Sequence, residues 1–398
     1  YCYRIKAVDS QSGYTAWSDS ICREVFEYPE PDTPSLISAS VTQTSSSGAV
    51  ELRWDQYTAD TFAEGYYLYH SKGGSGGTYQ RIQTITDLED TTFTHTGINT
   101  ATSRNSYRLV VYNQCGDTSA FSDPHTTIDL QATNQNLAIE LDWSAYEGFF
   151  VAGYDVERTA NGGQWKTIEF LTRDTNLTDT TVECGKRYTY RVIAYDRTGN
   201  SAFSDTIARV AFDTIPPDKP VLQRASVSRT GTGDGAVRLN WQPSSARDLK
   251  SYILERKGPD QTTYQVIDTI NGASNSYRDA NLNTADQPYD YRMKAIDSCD
   301  NLSAAYTNPH RTIHLEATGI SEAVSLDWTA YEVGPVQTYR ILRDDSLVYQ
   351  VSGDTTRKLD QPVLCDSTYQ YQIQAVLEGI DSTVVLSNTD KAEPFDNN

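Results

Sequence analysis

Apolar and polar residues alternate along this chain with a period of two, the signature of strands that bury one face and expose the other. The alternation is clearest in four stretches, each ending in tryptophan: Val50, Leu52, Trp54; Leu137, Ile139, Leu141, Trp143; Val237, Leu239, Trp241; and Val324, Leu326, Trp328. A tyrosine follows each tryptophan eleven or twelve residues later, at Tyr66, Tyr154, Tyr252 and Tyr339, and opens another strand. A further strand carries Tyr107-Arg108, Tyr190-Arg191, Tyr291-Arg292 and Tyr371-Gln372. No stretch sustains the 3.6-residue period of a helix, so the pattern predicts an all-β tandem array with the four tryptophans as structural core.

Cutting at the recurrent positions gives units over 31–127, 128–212, 213–312 and 313–393, with the start of a linker over 394–398. Tyr3-Arg4 repeats the third strand with nothing before it, so 1–30 is expected to be the C-terminal part of a truncated domain. Proline-rich joints (Tyr28 to Pro34, Ile215 to Pro220) precede the first and third units, and proline stiffens a joint while denying it a ladder donor. The joints after Pro124 and Pro309 are short, and one strand is expected to run on from domain to domain there. Trp54 to Trp241 spans 187 residues and Trp143 to Trp328 spans 185, so the period is a pair of domains, duplicated. Gly73-Gly74-Ser75-Gly76-Gly77 reads as a mobile hairpin tip.

Composition narrows the function. Tyr at 27 and a single Met suit pleated, half-buried surfaces. The net charge of −20 argues against nucleic acid, whose binding needs a cationic face, and against anionic membrane surfaces. The sequence contains no apolar run long enough to insert in a membrane as a helix. The acidity reads as solubility of an exposed array, with inter-domain calcium a weaker reading because no Asp-x-Asp-x-Asp-Gly loop occurs. Of the five histidines, His125 and His310 occupy equivalent joints, and His70, His95 and His314 have no acid at motif spacing. No nucleophile elbow, His-Glu-x-x-His or P-loop is present, so neither catalytic, cofactor-binding nor metal-ligating residues are expected. Trp165, outside the strand pattern, is a candidate contact surface.

Tryptophan on the second strand, tyrosine on the third, Tyr-x-Tyr-Arg on the sixth and a closing Phe-Ser-Asp at Phe121 and Phe203, with Trp17-Ser18-Asp19 near the start, resemble fibronectin type III domains over essentially the whole chain. The resemblance implies seven-stranded sandwiches of two antiparallel sheets, each locked by a tyrosine corner at Tyr1, Tyr188, Tyr289 and Tyr369. The first complete unit departs, with Asn105 there. The runs Cys299 to Ser303 and Pro309 to Leu315, with Tyr1 to Arg4 and Ser20 to Cys22, are similar to repeat regions of large Bacteroidota surface proteins exported by the type IX system, which often end in a gliding-motility-associated domain.

Six cysteines in exposed sandwiches point to disulfides and an oxidising, extracellular or cell-surface location. Cys2 and Cys22 lie on neighbouring strands and are expected to pair. Loop polarity in a fibronectin type III array favours Cys184 with Cys299, leaving Cys115 and Cys365 to partners outside the chain. The competing scheme joins Cys115 to Cys184 and Cys299 to Cys365. Asp-Ser/Thr tripeptides similar to a Bacteroidota O-glycosylation sequon mark Ser20, Thr91, Thr180, Thr206, Thr214, Thr269, Ser346, Thr355, Ser367 and Ser382.

The expected function is a non-catalytic stalk or adhesion module of a large bacterial cell-surface protein. Neighbouring repeats, surface glycans or other cell-surface proteins are the partners in view. A filament subunit and the spacer of a secreted polysaccharide-degrading enzyme are the alternatives.

Overall fold

The computed structural model describes residues 1–24, 29–377 and 384–396. Every assigned element among them is a β-strand. The chain divides into two compact units, Tyr1–Phe212 and Asp213–Asn398.

Unit one opens with two small ribbons, Cys2–Tyr3 against Ile21–Cys22 and Lys6–Val8 against Thr15–Trp17, all of them exposed. A disulfide joins Cys2 to Cys22, which face each other in register. The first sandwich sets Leu36–Gln43, Gly48–Trp54 and Thr92–Ile98 as a three-stranded sheet. Opposite it, His125–Thr126, Asn105–Asn113, Ala63–Lys72 and Gln80–Ile85 form a four-stranded one. The second sandwich repeats the order with Leu130–Gln135, Ala138–Trp143 and Asn176–Asp179 facing Lys166–Thr172, Gly153–Ala160 and Arg187–Tyr195. Its last edge is split into Ser201–Phe203 and Ile207–Val210, both paired to Arg187–Tyr195.

Unit two repeats this pair. Its first sandwich sets Val221–Arg229, Thr232–Gln242 and Ser276–Asn283 against Gln265–Asn271, Leu249–Lys257, Asp290–Asp297 and His310–Arg311. Its second sets Leu315–Ile320, Ala323–Trp328 and Arg357–Asp360 against Ser346–Ser352, Val336–Arg343, Tyr369–Leu377 and Val384–Ala392. All strand pairings within these sheets are antiparallel, so the chain is a tandem of β-sandwiches of the fibronectin type III kind, three strands on four.

Alternation decides each core. Trp54, Trp143, Trp241 and Trp328 are at most 5% exposed, and each meets the tyrosine of the facing sheet edge to face: Tyr66, Tyr154, Tyr252 and Tyr339, with ring centroids 5.5 to 5.8 Å apart. Edge-to-face pairing contributes about 0.5–1.5 kcal/mol beyond area burial. Each of these tyrosines also turns its hydroxyl to the loop before its strand and accepts a backbone N–H there, from Tyr57, Tyr146, Ser244 and Tyr331 respectively.

A second tyrosine closes the opposite end. The hydroxyls of Tyr188, Tyr289 and Tyr369 accept the N–H of Glu183, Asn283 and Leu364, five or six residues upstream. Asn105 takes this position in the first sandwich, and its amide donates to the carbonyls of Asn99 and Ser103. The same sandwich differs in a second respect. In the other three, a buried aspartate on the fifth strand accepts from an arginine and a tyrosine: Asp179 from Arg158 and Tyr190, Asp279 from Arg256 and Tyr291, Asp360 from Arg343 and Tyr371. In the first sandwich His70 stands opposite Tyr107 in the arginine's register and His95 opposite Val50 in the aspartate's. His95 Nδ1 lies 3.2 Å from the Tyr107 hydroxyl, and His70 Nε2 lies 2.9 Å from Asn105 Oδ1.

The short joints depart from the expected continuous strand. His125–Thr126 pairs with Ser106 and Tyr107, and the next strand begins only at Leu130, in the other sheet of the following domain. The chain must change sheets there. Between them Thr127 donates its N–H to the Asn105 carbonyl and accepts the Asn105 N–H on its hydroxyl.

Candidate functional site

Within each unit, the place where the sequence brings most buried polar side chains together is the short joint. In unit one, Tyr146 lies in the loop before Gly153–Ala160, and its hydroxyl reaches back into the preceding domain. It sits 2.7 Å from His125 Nδ1 and accepts the Ala39 N–H at 3.0 Å. The Leu36 backbone beside the imidazole favours its charged form, against burial. Burial pushes His125 down to about 4, against the pull of Asp123, and pushes the Tyr146 phenol well up, so both are neutral near pH 7.

Around this hub Thr126 donates its N–H to the Glu147 carbonyl and its hydroxyl to the Glu147 carboxylate. Arg104 pairs with the same carboxylate at 2.9 Å. Partial burial works against the Glu147 charge, but hydrogen bonds from Ser75, Arg104 and Thr126 hold its carboxyl below the ordinary range. Gly73, at the base of the glycine-rich hairpin, donates its N–H to the Arg104 carbonyl. On the other edge Phe203 and Thr206 donate N–H groups to the hydroxyls of Ser40 and Thr44. A cleft of about 470 Å³ opens beside the joint, lined among others by Asp55, Phe121, Asp123, His125 and Asn200.

Unit two builds the same joint. Tyr331 lies 2.8 Å from His310 Nδ1 and accepts the Ala225 N–H, while Leu386 and Thr389 donate to Ser226 and Thr230. His310 is likewise pushed to about 4 by burial. The sequence reading placed His125 and His310 in equivalent joints but missed Tyr146 and Tyr331. The Ala-Tyr-Glu that both second domains carry fifteen residues after the leucine of Ile-x-Leu was the available signal.

The cysteines divide. Cys115 and Cys365 are free thiols, so neither bond of the scheme joining Cys115 to Cys184 and Cys299 to Cys365 is formed, and no disulfide at these two positions is realised within the chain. Geometry explains Cys115. Its neighbour Asn113 bonds Pro29 at the entry of the first sandwich, whereas Gly185, next to Cys184, bonds Ala211 at the exit of the second. The proposed glycosylation positions Ser20, Thr180, Thr214, Thr269 and Ser346 are exposed, and Thr91, Thr206, Thr355 and Ser367 are half-buried. Ser382 lies outside the described residues. Trp165 is half-buried under Arg191, whose guanidinium lies 4.4 Å from its ring centroid and pairs with Glu157.

Asp213, Asp248 and Asp297 in unit two bring carboxylate oxygens within 4.8 Å of one another. The buried member, Asp297, is already taken up by the N–H groups of Cys299 and Asn301 and the Asn301 amide. This is loop-closing chemistry.

No family model matches the chain. Over 338 residues it is 28% identical to Exoglucanase B of Cellulomonas fimi, an alignment that covers 78% of this chain and spans only 28% of that relative's length. Among solved structures it is similar to the FN1-FN3 domains of chicken CNTN1, at 16% identity and a TM-score of 0.21, covering 70% of this chain and 96% of that one.

Proposed function

We propose that this chain is a non-catalytic spacer of a larger extracellular protein, built from two stiffened pairs of sandwiches. The observation that carries the reading is the duplicated joint, in which Tyr146 and Tyr331 each tie two domains together through a buried histidine and a backbone N–H. Such a joint limits bending within a pair, which is what a spacer requires. The Cys2–Cys22 disulfide supports an oxidising compartment. Similarity to a segment of an exoglucanase favours a parent that degrades polysaccharide over the gliding or adhesive surface protein, whose support is the sequence resemblance alone. In this reading Cys184 pairs with Cys299 and the exposed Asp-Ser/Thr sites carry glycans.

Small-angle scattering of the full chain, compared with the Tyr146→Ala/Tyr331→Ala double variant, tests the spacer. A narrow distance distribution that broadens in the variant supports it; equal distributions refute it. Turnover of β-glucans by the chain itself would also refute it. Non-reducing peptide mapping and intact-mass measurement decide the disulfide and the glycans.

A further inference from the structure

In the second sandwich of unit one, on the side of the Tyr146–Tyr154 loop, lies a second cleft of about 410 Å³. Val151, Gly153, Tyr154 and Thr175 form its wall, and Phe150, Arg173 and Arg197 stand at its rim. Phe150 is 75% exposed, an expensive placement for a phenyl ring in the absence of a partner. The Arg197 guanidinium lies 5.4 Å from its ring centroid. Neither Arg173 nor Arg197 makes an ion pair among the described residues, although the chain carries a net charge of −20 and pairs many of its other arginines. The nearest acid to Arg197 in sequence, Asp196, is turned onto its own loop, where Thr198 and Asn200 satisfy it.

The duplicate shows that folding does not ask for Phe150 or Arg173. Tyr331 and Tyr339 bound the equivalent loop with the same length, and Pro335 stands where Phe150 does. The connection equivalent to the one that carries Arg173, Ser352-Gly353-Asp354-Thr355, has no cation. A sandwich of the same topology and core closes without them.

We propose that this cleft binds a uronic acid residue of an acidic polysaccharide. A flat apolar ring beside two unpaired guanidiniums matches a pyranose that carries a carboxylate on one edge and a C–H face on the other. Arginine presents the planar fork that holds a carboxylate through paired N–H donors, and a site with few, convergent polar groups fixes orientation. An acidic peptide or a bare phosphate would use the charge but not the ring. The spacer reading neither requires this site nor is required by it.

Calorimetric titration of the full chain with a galacturonic acid hexamer, and with the same hexamer after carboxyl reduction, tests the proposal. Binding of the acid form, at least ten-fold weaker for the reduced form, is expected. Phe150→Ala and the pair Arg173→Ala/Arg197→Ala should each cost at least five-fold, with Arg173→Lys/Arg197→Lys recovering part of the loss; all three sites are exposed, and unchanged thermal unfolding will show that the variants are folded. No binding, equal binding of the reduced hexamer, variants that bind like the parent, or equal binding of polyglutamate would each overturn it.

Discussion

His70 and His95 pack edge to face with ring centroids 5.0 Å apart, at the place where the other three sandwiches set an arginine against an aspartate. One neutral pair replaces three ion pairs at one structural position. Burial lowers both imidazoles, and the His70 ring adds to the lowering of His95, which falls to about 4.

Within unit one, the first sandwich should therefore be the acid-sensitive one. A histidine whose folded pKa lies below its unfolded value of about 6.5 contributes stability that is present above 6.5 and is lost as pH falls towards 4. His95 and His125 both act in that window, and fully buried His125 alone is worth up to about 3 kcal/mol. In the second sandwich burial raises Asp205 to about 7, so its folded form binds the extra proton and acidification through that range favours folding. Hydrogen exchange at pH 7.5, 5.5 and 4.5 should show protection falling first in Gly48–Trp54. Uniform loss across both sandwiches would contradict this.

Tyr146→Phe removes a hydroxyl that two groups share. It leaves the buried Ala39 N–H and His125 Nδ1 without their partner, which should cost about 1–3 kcal/mol. Faster exchange at Ala39, with the Trp143 core still protected, is the expected result. Tyr331→Phe should do the same at Ala225.

Gly148 has φ +151, and a Cβ there would fall 2.5 Å from His125 Nδ1. The ring is buried and held at Nδ1 by the Tyr146 hydroxyl, so it has little room to retreat. Gly148→Ala should open the joint of unit one without unfolding either sandwich, read as a shift of the His125 ring resonances with core protection retained.

Truncating a core tryptophan is the harsher test. Trp143→Ala or Trp328→Ala should lose about 3–5 kcal/mol and release the edge-to-face partner, Tyr154 or Tyr339. Denaturant unfolding followed domain by domain should place the loss in that sandwich and its joint. A loss under 1 kcal/mol would mean the ring is not a core element.

Much of the fold was legible because alternation and burial are the same fact in a sandwich: a period of two puts Val50, Leu52 and Trp54 on one face whatever they meet there. The tyrosine corners at Tyr188, Tyr289 and Tyr369 were implied by the resemblance to fibronectin type III domains, and each bond closes within six residues. The role of His95 was not legible. Its partners Tyr107 and His70 come from other strands, and only the register of Val50 with His95 shows that it occupies an aspartate's place.

The joint marks the same boundary more sharply. The sequence by itself determined the all-β tandem, its strand alternation and the duplication of an unlike pair, because local periodicity and turn chemistry are written residue by residue. What only the tertiary structure decided is that Tyr146 reaches Ala39 and His125, that Ser75 reaches Glu147, and that Phe150, Arg173 and Arg197 share one cleft. Those contacts depend on how one sandwich seats on the next and which loops share a pole, a geometry set by many weak contacts at once and carried by no single spacing.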